Sequence, residues 1–275
     1  MSLPADLRLA VVTGASAGIG LALSRALARE GRPVLAVARR SDRLERLAAE
    51  ASSQGWARVH PLALDLAAPG AAAAVLAHAE ELGGAEWLVN NAGFGLYGPV
   101  AEADPERLAQ MVRLNCESVV LLTRAFLPSL ERAGSGFVLN VASVVGFQPS
   151  PFLSVYAATK AFVLSFTEAL SEELRGTGVG AGAFCPGPVA TEFQGVAGTA
   201  RRAAHGPAAL SAEEAAREVL DQLRRREVVR VPRLAYRLLA ASAALLPRGV
   251  ARRMSGWLNR PSQPGRESRP DGSAR

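Results

Sequence analysis

A tyrosine and a lysine four residues apart form the pair in this chain with the clearest chemical potential. Lys160 is the only lysine among 31 basic residues, and it follows Tyr156 in the stretch SVYAATKAFV (154–163). On a helix, residues at i and i+4 share one face, so the ammonium would lie beside the phenol. A phenol has a pKa of about 10, and a nearby positive charge lowers that pKa toward the range in which general acid–base catalysis works best. The pair therefore predicts proton transfer at Tyr156.

Two further polar residues are candidates for the same site. Ser143 closely follows the apolar run GFVLNV (136–141). Its hydroxyl is therefore expected at the carboxyl end of a strand, the edge where α/β sheets bind ligands. Asn115 lies inside a long helical pattern at 105–132, between Leu114 and Cys116. Taken alone, Asn115 would be interpreted as a surface amide.

A glycine-rich turn follows the first apolar run. In TGASAGIG (13–20), Gly14, Gly18 and Gly20 have the spacing G-x-x-x-G-x-G and lead directly into a helical pattern. Glycines in such a turn let the backbone approach a pyrophosphate, which then sits on the helix N-terminus. A plain strand-to-helix turn is the alternative. The position after the first strand of a βαβ unit favours a dinucleotide.

The end of the second apolar run bears on which nicotinamide cofactor is bound. An NAD site usually has a carboxylate there for the ribose 2′-hydroxyl, whereas an NADP site has arginine for the 2′-phosphate. The run PVLAVA (33–38) continues into Arg39 and Arg40, and the first acid is Asp42. We therefore expect NADP(H) in preference to NAD(H), with Arg39 as the main contact and Asp42 as a helix N-cap. The alternative is that both arginines are solvated.

Apolar runs and helical patterns alternate along the chain, and this alternation predicts the fold. The runs are near-continuously apolar, as in strands buried on both faces, and lie at 8–13, 33–38, 58–64, 87–90, 136–141 and 179–184. The helical patterns lie near 19–30, 42–53, 70–82, 105–132 and 155–175. Ser211 begins another helix with a capping box, before a seventh strand at 228–232. We predict a single α/β domain: a Rossmann-type, doubly wound parallel sheet of about seven strands with helices on both faces.

Charge is distributed unevenly along the chain. Residues 1–200 carry 15 basic and 18 acidic residues, whereas residues 201–260 carry 13 and 5. The basic balance is therefore local, and no nucleic-acid partner is expected. We predict a catalytic domain at 1–233, a basic amphipathic extension at 234–260 and a disordered tail at 261–275. The extension could make a weak contact with an anionic membrane surface, or it could pack on its own domain or on a second subunit.

Cellular location follows from cysteine content and hydropathy. The chain has two cysteines, too few for a disulfide framework, and its first ten residues lack the features of a signal peptide. No apolar stretch reaches the roughly 18 residues that span a bilayer. We expect a cytoplasmic protein, with peripheral membrane contact as the alternative, and no metal site.

Taken together and in this order, the motifs resemble those of the short-chain dehydrogenase/reductase family, in its single-domain type. The matching residues run from residue 8 to about residue 195 and are Thr13, Gly14, Gly18, Gly20, Asp65, Asn90 to Gly93, Asn115, Ser143, Tyr156, Lys160, Pro186, Gly187 and Thr191.

The resemblance implies a catalytic set. Tyr156 would be the general acid in carbonyl reduction and the general base in alcohol oxidation. Ser143 would hydrogen-bond the substrate oxygen, and Lys160 would bond the nicotinamide ribose and lower the tyrosine pKa. Asn115 would hold a water molecule in the proton relay.

It also implies a cofactor-binding set: Gly14, Ser16, Gly18, Ile19, Gly20, Arg39, Arg40, Asp65, Leu66, Asn91, Ala92, Gly93, Tyr156, Lys160, Pro186, Gly187, Val189 and Thr191. Asp65 would contact the adenine and Thr191 the nicotinamide carboxamide. Ala17 departs from the family pattern, because many NADP-preferring members carry a basic residue at that position.

The resemblance predicts an NADP(H)-dependent oxidoreductase that transfers a hydride between nicotinamide and a hydrophobic carbonyl or secondary alcohol. A non-catalytic NADP(H)-binding regulator and an NAD-dependent alcohol dehydrogenase are the alternatives. Candidate substrate segments are 94–99, 144–153 and 192–207, whose apolar residues could line the pocket or only pack a lid. Those residues are Phe94, Leu96, Phe147, Phe152, Leu153 and Phe193. The family also implies a homodimer or homotetramer, formed through the helices that contain Asn115 and Tyr156.

Overall fold

The computed structural model describes residues 8–193, 209–245 and 247–260. Most of the predicted segment 192–207 and all of the predicted tail 261–275 lie outside these residues. The strands are β1 (Leu9–Thr13), β2 (Val34–Ala38), β3 (Val59–Ala63), β4 (Ala85–Asn90), β5 (Gly136–Val141), β6 (Val179–Phe184), β7 (Val189–Ala190), β8 (Leu210–Ser211) and β9 (Val229–Arg230). The helices are α1 (Gly18–Arg29), α2 (Ser41–Ser53), α3 (Ala71–Glu81), α4 (Pro105–Val112), α5 (Ser118–Ala133), α6 (Ser154–Glu173), α7 (Ala212–Arg225), α8 (Leu234–Leu245) and α9 (Arg248–Asn259).

The central sheet has seven parallel strands in the order β3-β2-β1-β4-β5-β6-β9. This is the predicted Rossmann-type architecture, and β9 is the predicted seventh strand. The strand order reverses between β1 and β4, where Val12 is in register with Val89. At such a switch point, the loops that follow the two strands diverge and leave a crevice for a ligand.

The helices cover both faces of the sheet, which explains why β1, β2, β5 and β6 are buried at nearly every position. On β1, Ala10 and Val12 pack into a core with residues of α1, α2 and α7. Leu9 and Val11 point to the opposite face and pack with residues of α3, α5 and α6. Because neighbouring residues of a strand point to opposite faces, two buried faces require an apolar side chain at nearly every position.

The helical pattern at 105–132 forms two helices, so the prediction of a single helix is wrong. A π-helical turn, Arg113–Glu117, separates α4 from α5. It contains Asn115, whose side chain bonds the backbone of Phe94, and the Ser118 hydroxyl donates to the Leu114 carbonyl over 2.6 Å. Such turns occur mostly as single-turn bulges and often at functional sites. Apolar periodicity persists through the turn, so the sequence pattern does not reveal it.

The helix starts were predicted with mixed success. The capping box at Ser211 is confirmed, because its hydroxyl accepts from the Glu214 N–H and the Glu214 carboxylate accepts from the Ser211 N–H. The prediction that Asp42 caps α2 is wrong. Arg40 occupies the cap position, and Asp42 lies in the first turn, where it pairs with Arg46.

Candidate functional site

One cleft of about 570 Å³ opens at the carboxyl ends of the strands around the switch point. Its walls come from the glycine loop after β1 and from the segments that follow β2, β3, β4, β5 and β6. Gly20 and Asn115 do not line the cleft. It brings together all the other predicted catalytic and cofactor-binding residues: Gly14, Ser16, Gly18, Ile19, Arg39, Arg40, Asp65, Leu66, Asn91, Ala92, Gly93, Ser143, Tyr156, Lys160, Pro186, Gly187, Val189 and Thr191.

The glycine loop has a backbone that other residues would strain. Gly14 and Gly18 have φ angles of 67° and 54°, in the left-handed region. A Cβ atom on Gly20 would lie 2.5 Å from the Asn91 side-chain nitrogen, so this glycine allows close packing and does not face the cleft. Ala17 precedes α1 and makes no side-chain cap, which leaves the first helical N–H groups available to a phosphate. The loop therefore fits a pyrophosphate.

Thr13 joins the glycine loop to the segment after β4. Its hydroxyl accepts from the N–H groups of Asn91 and Ala92 over 2.9 and 3.0 Å. The Asn91 side chain donates to the Thr13 carbonyl over 2.8 Å. These bonds hold the two loops of the switch point together. Thr13 belongs to the glycine motif that carries the family resemblance, but no role was predicted for it from the sequence.

A buried amide network lies beneath the same loops. Asn90 donates to the Asn140 side-chain oxygen over 2.9 Å and to the Thr123 hydroxyl over 3.2 Å. Asn140 in turn donates to the Thr167 hydroxyl over 2.8 Å. Asn140 was not among the predicted residues, and its one signal in the sequence is that it is a polar residue inside the apolar run of β5. The network ties the ends of β4 and β5 to α5 and α6, the helices beside the site.

The two predicted arginines differ in placement. Arg39 is exposed, and its nearest carboxylate oxygen, on Asp65, is 3.9 Å away. Arg40 lies against the glycine loop, where its Nε and Nη2 atoms donate to the Ser16 hydroxyl over 3.1 and 3.0 Å. Both arginines border the cleft near the end of β2. A guanidinium at either position suits a phosphate group.

An acidic residue also reaches this end of the cleft. Glu192 follows Thr191, and its carboxylate accepts from Arg40 over 3.1 Å and from Arg43 over 2.8 and 2.9 Å. Hydrogen bonds from Arg43 and Arg40 lower the pKa of the Glu192 carboxyl. This pairing was not predicted from the sequence, because Arg43 and Glu192 are 149 residues apart and no local pattern relates them.

Tyr156 and Lys160 share the cleft-facing side of α6, as predicted from their spacing. Burial raises the pKa of Tyr156 to about 12, opposed by a hydrogen bond with Ser143. Burial also lowers the pKa of Lys160 to about 8. The expectation that Lys160 lowers the tyrosine pKa is therefore not met. Its ammonium donates to the Val141 carbonyl over 2.6 Å and lies 5.8 Å from the centre of the phenol ring, so desolvation dominates.

Ser143 and Asn115 are both buried, but only Ser143 faces the cleft. The Ser143 hydroxyl makes long contacts of 3.4 Å with the Pro186 carbonyl and the Val145 N–H. Asn115 lies behind Gly93, with its oxygen accepting from the Phe94 N–H over 3.1 Å and its nitrogen donating to the Phe94 carbonyl over 2.9 Å. The interpretation of Asn115 as a surface amide is therefore wrong. Its hydrogen bonds to Phe94 position the backbone of the cleft wall beside Lys160.

The end of the cleft next to Tyr156 is mainly apolar. The Phe193 ring lies 5.5 Å from the Tyr156 ring, and Phe94 and Leu153 also line the cleft. Three other residues from the same predicted set do not line it: Leu96, Phe147 and Phe152. Arg107, stacked 5.2 Å from the centre of the Phe94 ring, adds a charge at this end. Arg107 was not among the residues predicted from the sequence.

Comparisons with known proteins agree with this geometry. A family model described as short chain dehydrogenase matches residues 8–202. The 1-deoxy-11-beta-hydroxypentalenate dehydrogenase of Streptomyces exfoliatus is 39% identical over 223 residues, which cover 78% of this chain and 79% of that protein. A short-chain dehydrogenase from Sphingobium yanoikuyae in complex with NADPH is 32% identical with a TM-score of 0.78, covering 96% of this chain and 100% of that chain. A bulky-bulky ketone specific alcohol dehydrogenase from Comamonas testosteroni is 27% identical with a TM-score of 0.75, covering 94% and 97%.

Proposed function

Because the chain belongs to the short-chain dehydrogenase/reductase family, we propose that it is an NADP(H)-dependent oxidoreductase acting on a hydrophobic carbonyl or secondary alcohol. One observation carries this proposal. Ser143, Tyr156 and Lys160 meet at one end of a cleft whose other end is bordered by the glycine loop and two arginines. A proton donor therefore lies within the same cleft as the surfaces that suit a dinucleotide.

The proposed mechanism assigns a task to each polar side chain. The bound cofactor supplies or accepts the hydride. In carbonyl reduction, Tyr156 donates its phenolic proton to the substrate oxygen, and the Ser143 hydroxyl hydrogen-bonds the same oxygen as charge develops there. The Lys160 ammonium, 5.8 Å from the centre of the phenol ring, attracts the phenolate that forms when this proton leaves, but in the empty cleft the cost of burying the phenol outweighs this attraction. In alcohol oxidation the phenolate takes the proton back. Asn115 positions the backbone of Phe94 and, by family resemblance, would hold a water molecule of the proton relay.

The preference for NADP(H) rests on the end of β2. Arg39 and Arg40 offer two guanidinium groups near the site where a 2′-phosphate would lie, and no carboxylate follows β2 before Asp42. Arginine binds phosphate through paired N–H groups. The structural relative from Sphingobium yanoikuyae was solved with NADPH. Because Ala17 adds no basic group in the glycine loop, the preference depends on these arginines.

The proposed substrate class follows from the lining of the cleft near Tyr156. Phe94, Leu153 and Phe193 present apolar surface, which favours a hydrophobic substrate over a sugar. The names of two relatives support this substrate class. One relative is the 1-deoxy-11-beta-hydroxypentalenate dehydrogenase, and the other is an alcohol dehydrogenase specific for bulky-bulky ketones.

We also propose that the protein is a cytoplasmic homodimer or homotetramer assembled through α5 and α6. Leu121 and Phe162 expose large apolar side chains on these helices, and the Phe162 ring stacks on Phe166. Such side chains are common at the centres of subunit interfaces. Cys116 and Cys185 are free thiols, in keeping with a reducing compartment.

The experiment that tests the function is a parallel fluorescence titration of the purified protein with NADPH and NADH, followed by turnover assays with hydrophobic ketones. Tight NADPH binding with Tyr156-dependent ketone reduction supports the proposal. Equal or tighter binding of NADH would favour the NAD-dependent alcohol dehydrogenase. Binding of NADPH without turnover of any ketone or alcohol would favour a non-catalytic regulator.

A further inference from the structure

The helix α9 turns its small residues inward and its large apolar residues outward. Ala251 and Ser255 are each 4% exposed. Val250, Met254 and Trp257 follow one another at helical spacing and are 44%, 54% and 76% exposed. A helix that only packs on its own domain shows the opposite arrangement, with its large apolar side chains facing the core.

The preceding helix α8 has the same character. Leu234, Leu238 and Leu239 are exposed on it, while Tyr236 packs toward the domain against Gly187. Both helices nevertheless contact the domain, since Tyr236 of α8 packs against it and the Tyr97 hydroxyl donates to the Asn259 carbonyl at the end of α9 over 2.5 Å. The outward apolar side chains are therefore presented by a docked helix pair.

The same helix pair is strongly basic. Residues 234–260 contain five arginines and no aspartate or glutamate. Arg252 and Arg253 are exposed and directly precede the exposed Met254. Arg237 and Arg260 are exposed as well. The surface combines large apolar side chains with cations and has no acidic side chain of its own.

We propose that α8 and α9 form a docking surface for an anionic lipid membrane, onto which the protein binds peripherally. Arginine attracts acidic headgroups, while leucine, methionine and tryptophan enter the interfacial layer. Tryptophan is enriched at that depth of a bilayer. A second copy of the chain fits this surface poorly, because a two-fold contact through it would place arginines against arginines. Among the described helices, none has the length and hydropathy needed to cross a bilayer.

The helices that carry the docking surface also contact the wall of the cleft. Gly187, which lines the cleft, lies against Tyr236 of α8, and Gly256 of α9 approaches Pro151. A membrane bound to this surface would therefore bring an apolar reservoir close to the cleft. This consequence rests on the proposed oxidoreductase function, whereas the docking itself does not.

The test is co-sedimentation of the full chain with vesicles of phosphatidylcholine alone or of phosphatidylcholine with phosphatidylglycerol. We expect binding only to the phosphatidylglycerol vesicles at about 0.05 M salt and its loss at about 0.5 M, because salt shortens the reach of exposed charges. Removing both charges with Arg252→Gln and Arg253→Gln should weaken binding more than tenfold, at about fivefold per arginine. The matched control, Arg132→Gln with Arg175→Gln, removes two exposed arginines elsewhere and should bind as the wild type does.

A second variant separates the apolar contribution from the charge. Trp257→Ala should weaken vesicle binding and abolish the blue shift of tryptophan emission, while Leu82→Ala, at another exposed apolar position, should change neither. Circular dichroism and the unfolding temperature check that each variant is folded. Three results would overturn the proposal: no binding to phosphatidylglycerol vesicles at low salt, equal binding to neutral vesicles, or a fall in oligomeric mass of the Trp257 variant with unchanged vesicle binding. The last result would assign the surface to a second copy.

Discussion

The carboxylate of Glu192 is held by the guanidinium of Arg43, whose Nη1 atom lies 2.8 Å from one carboxylate oxygen and 2.9 Å from the other. Arg40 shares the same carboxylate, so the segment that follows β7 reaches across to the start of α2. Glu192 thus binds Arg40, one of the two guanidinium groups that we propose for a 2′-phosphate. The contact gives the cofactor end of the cleft a property that can be measured.

Replacing Glu192 by glutamine should tighten NADPH binding by about two- to fivefold, the range expected for an exposed ion pair. The substitution removes a negative charge that competes with the phosphate for Arg40. NADH has no 2′-phosphate, so its Kd should change little. Fluorescence titration with both cofactors measures the effect. An equal gain for NADH would show that Glu192 acts on the cleft in general.

Replacing Arg39 or Arg40 by alanine should weaken NADPH binding about tenfold or more, because each guanidinium can make charged hydrogen bonds to a phosphate. NADH binding should be nearly unchanged. Comparing the two variants also shows which arginine contributes more to NADPH affinity. The two differ in placement, because Arg40 contacts Ser16 of the glycine loop and Arg39 is more exposed. Arg46→Ala is the control, because this exposed arginine lies further along α2 and pairs with Asp42. Loss of NADH binding in parallel would contradict a phosphate-specific role.

Tyr156→Phe should lower kcat at least about a hundredfold while NADPH binding is retained, because the substitution removes only the proton donor. Steady-state kinetics with a ketone, combined with a cofactor titration, separates the two effects. The control is Tyr236→Phe, since this phenol belongs to α8 and does not line the cleft. Normal turnover by the Tyr156 variant would refute the catalytic assignment.

Lys160→Met should stabilise the empty protein by about 1–3 kcal/mol at pH 7 while abolishing turnover. Burial lowers the pKa of Lys160 from 10.5 to about 8, so below pH 8 the folded state carries the full cost of a buried ammonium. Loss of the bond to Val141 reduces the gain. Between pH 8 and 10.5, Lys160 binds a proton in the unfolded chain but not in the folded chain. The free energy of unfolding of the wild type therefore rises with pH, and the variant's advantage in stability becomes smaller. Urea unfolding at pH 7 and pH 10 measures this; a variant less stable at both values would contradict it.

In the direction of carbonyl reduction, kcat/KM should fall as the pH rises through about 8, because this parameter follows the ionisation of the free enzyme. Above that pH, Lys160 loses its charge, which in the proposed mechanism attracts the phenolate of Tyr156. Steady-state kinetics over a series of pH values, with NADPH and a ketone that can be raised to saturating concentration, measures kcat/KM as a function of pH. A rate that stays constant to pH 10 would show that the charge on Lys160 is not required.

The sequence by itself determined the parts of the protein that depend on local pattern. Alternating apolar runs and helical segments predicted the parallel sheet, because each pattern follows from which backbone neighbours are buried. The spacing of Tyr156 and Lys160 predicted a shared helix face, because i and i+4 coincide on any α-helix. The positions of Gly14 and Gly18 indicated a turn that only glycine adopts readily. Each of these inferences needs only a few consecutive residues.

Tertiary structure decided what depends on contacts between distant segments. The π-helical turn at Asn115 is accompanied by bonds to Phe94, and the pairing of Arg43 with Glu192 joins residues 149 positions apart. The pKa of Tyr156 rises because the fold buries the phenol, which spacing along a helix does not reveal. The outward face of α9 is likewise a result of docking, since Ala251 and Ser255 contact the domain and leave Trp257 exposed. In each case, the outcome depends on burial and on contacts between residues far apart in the chain. Neither can be read from a short stretch of sequence.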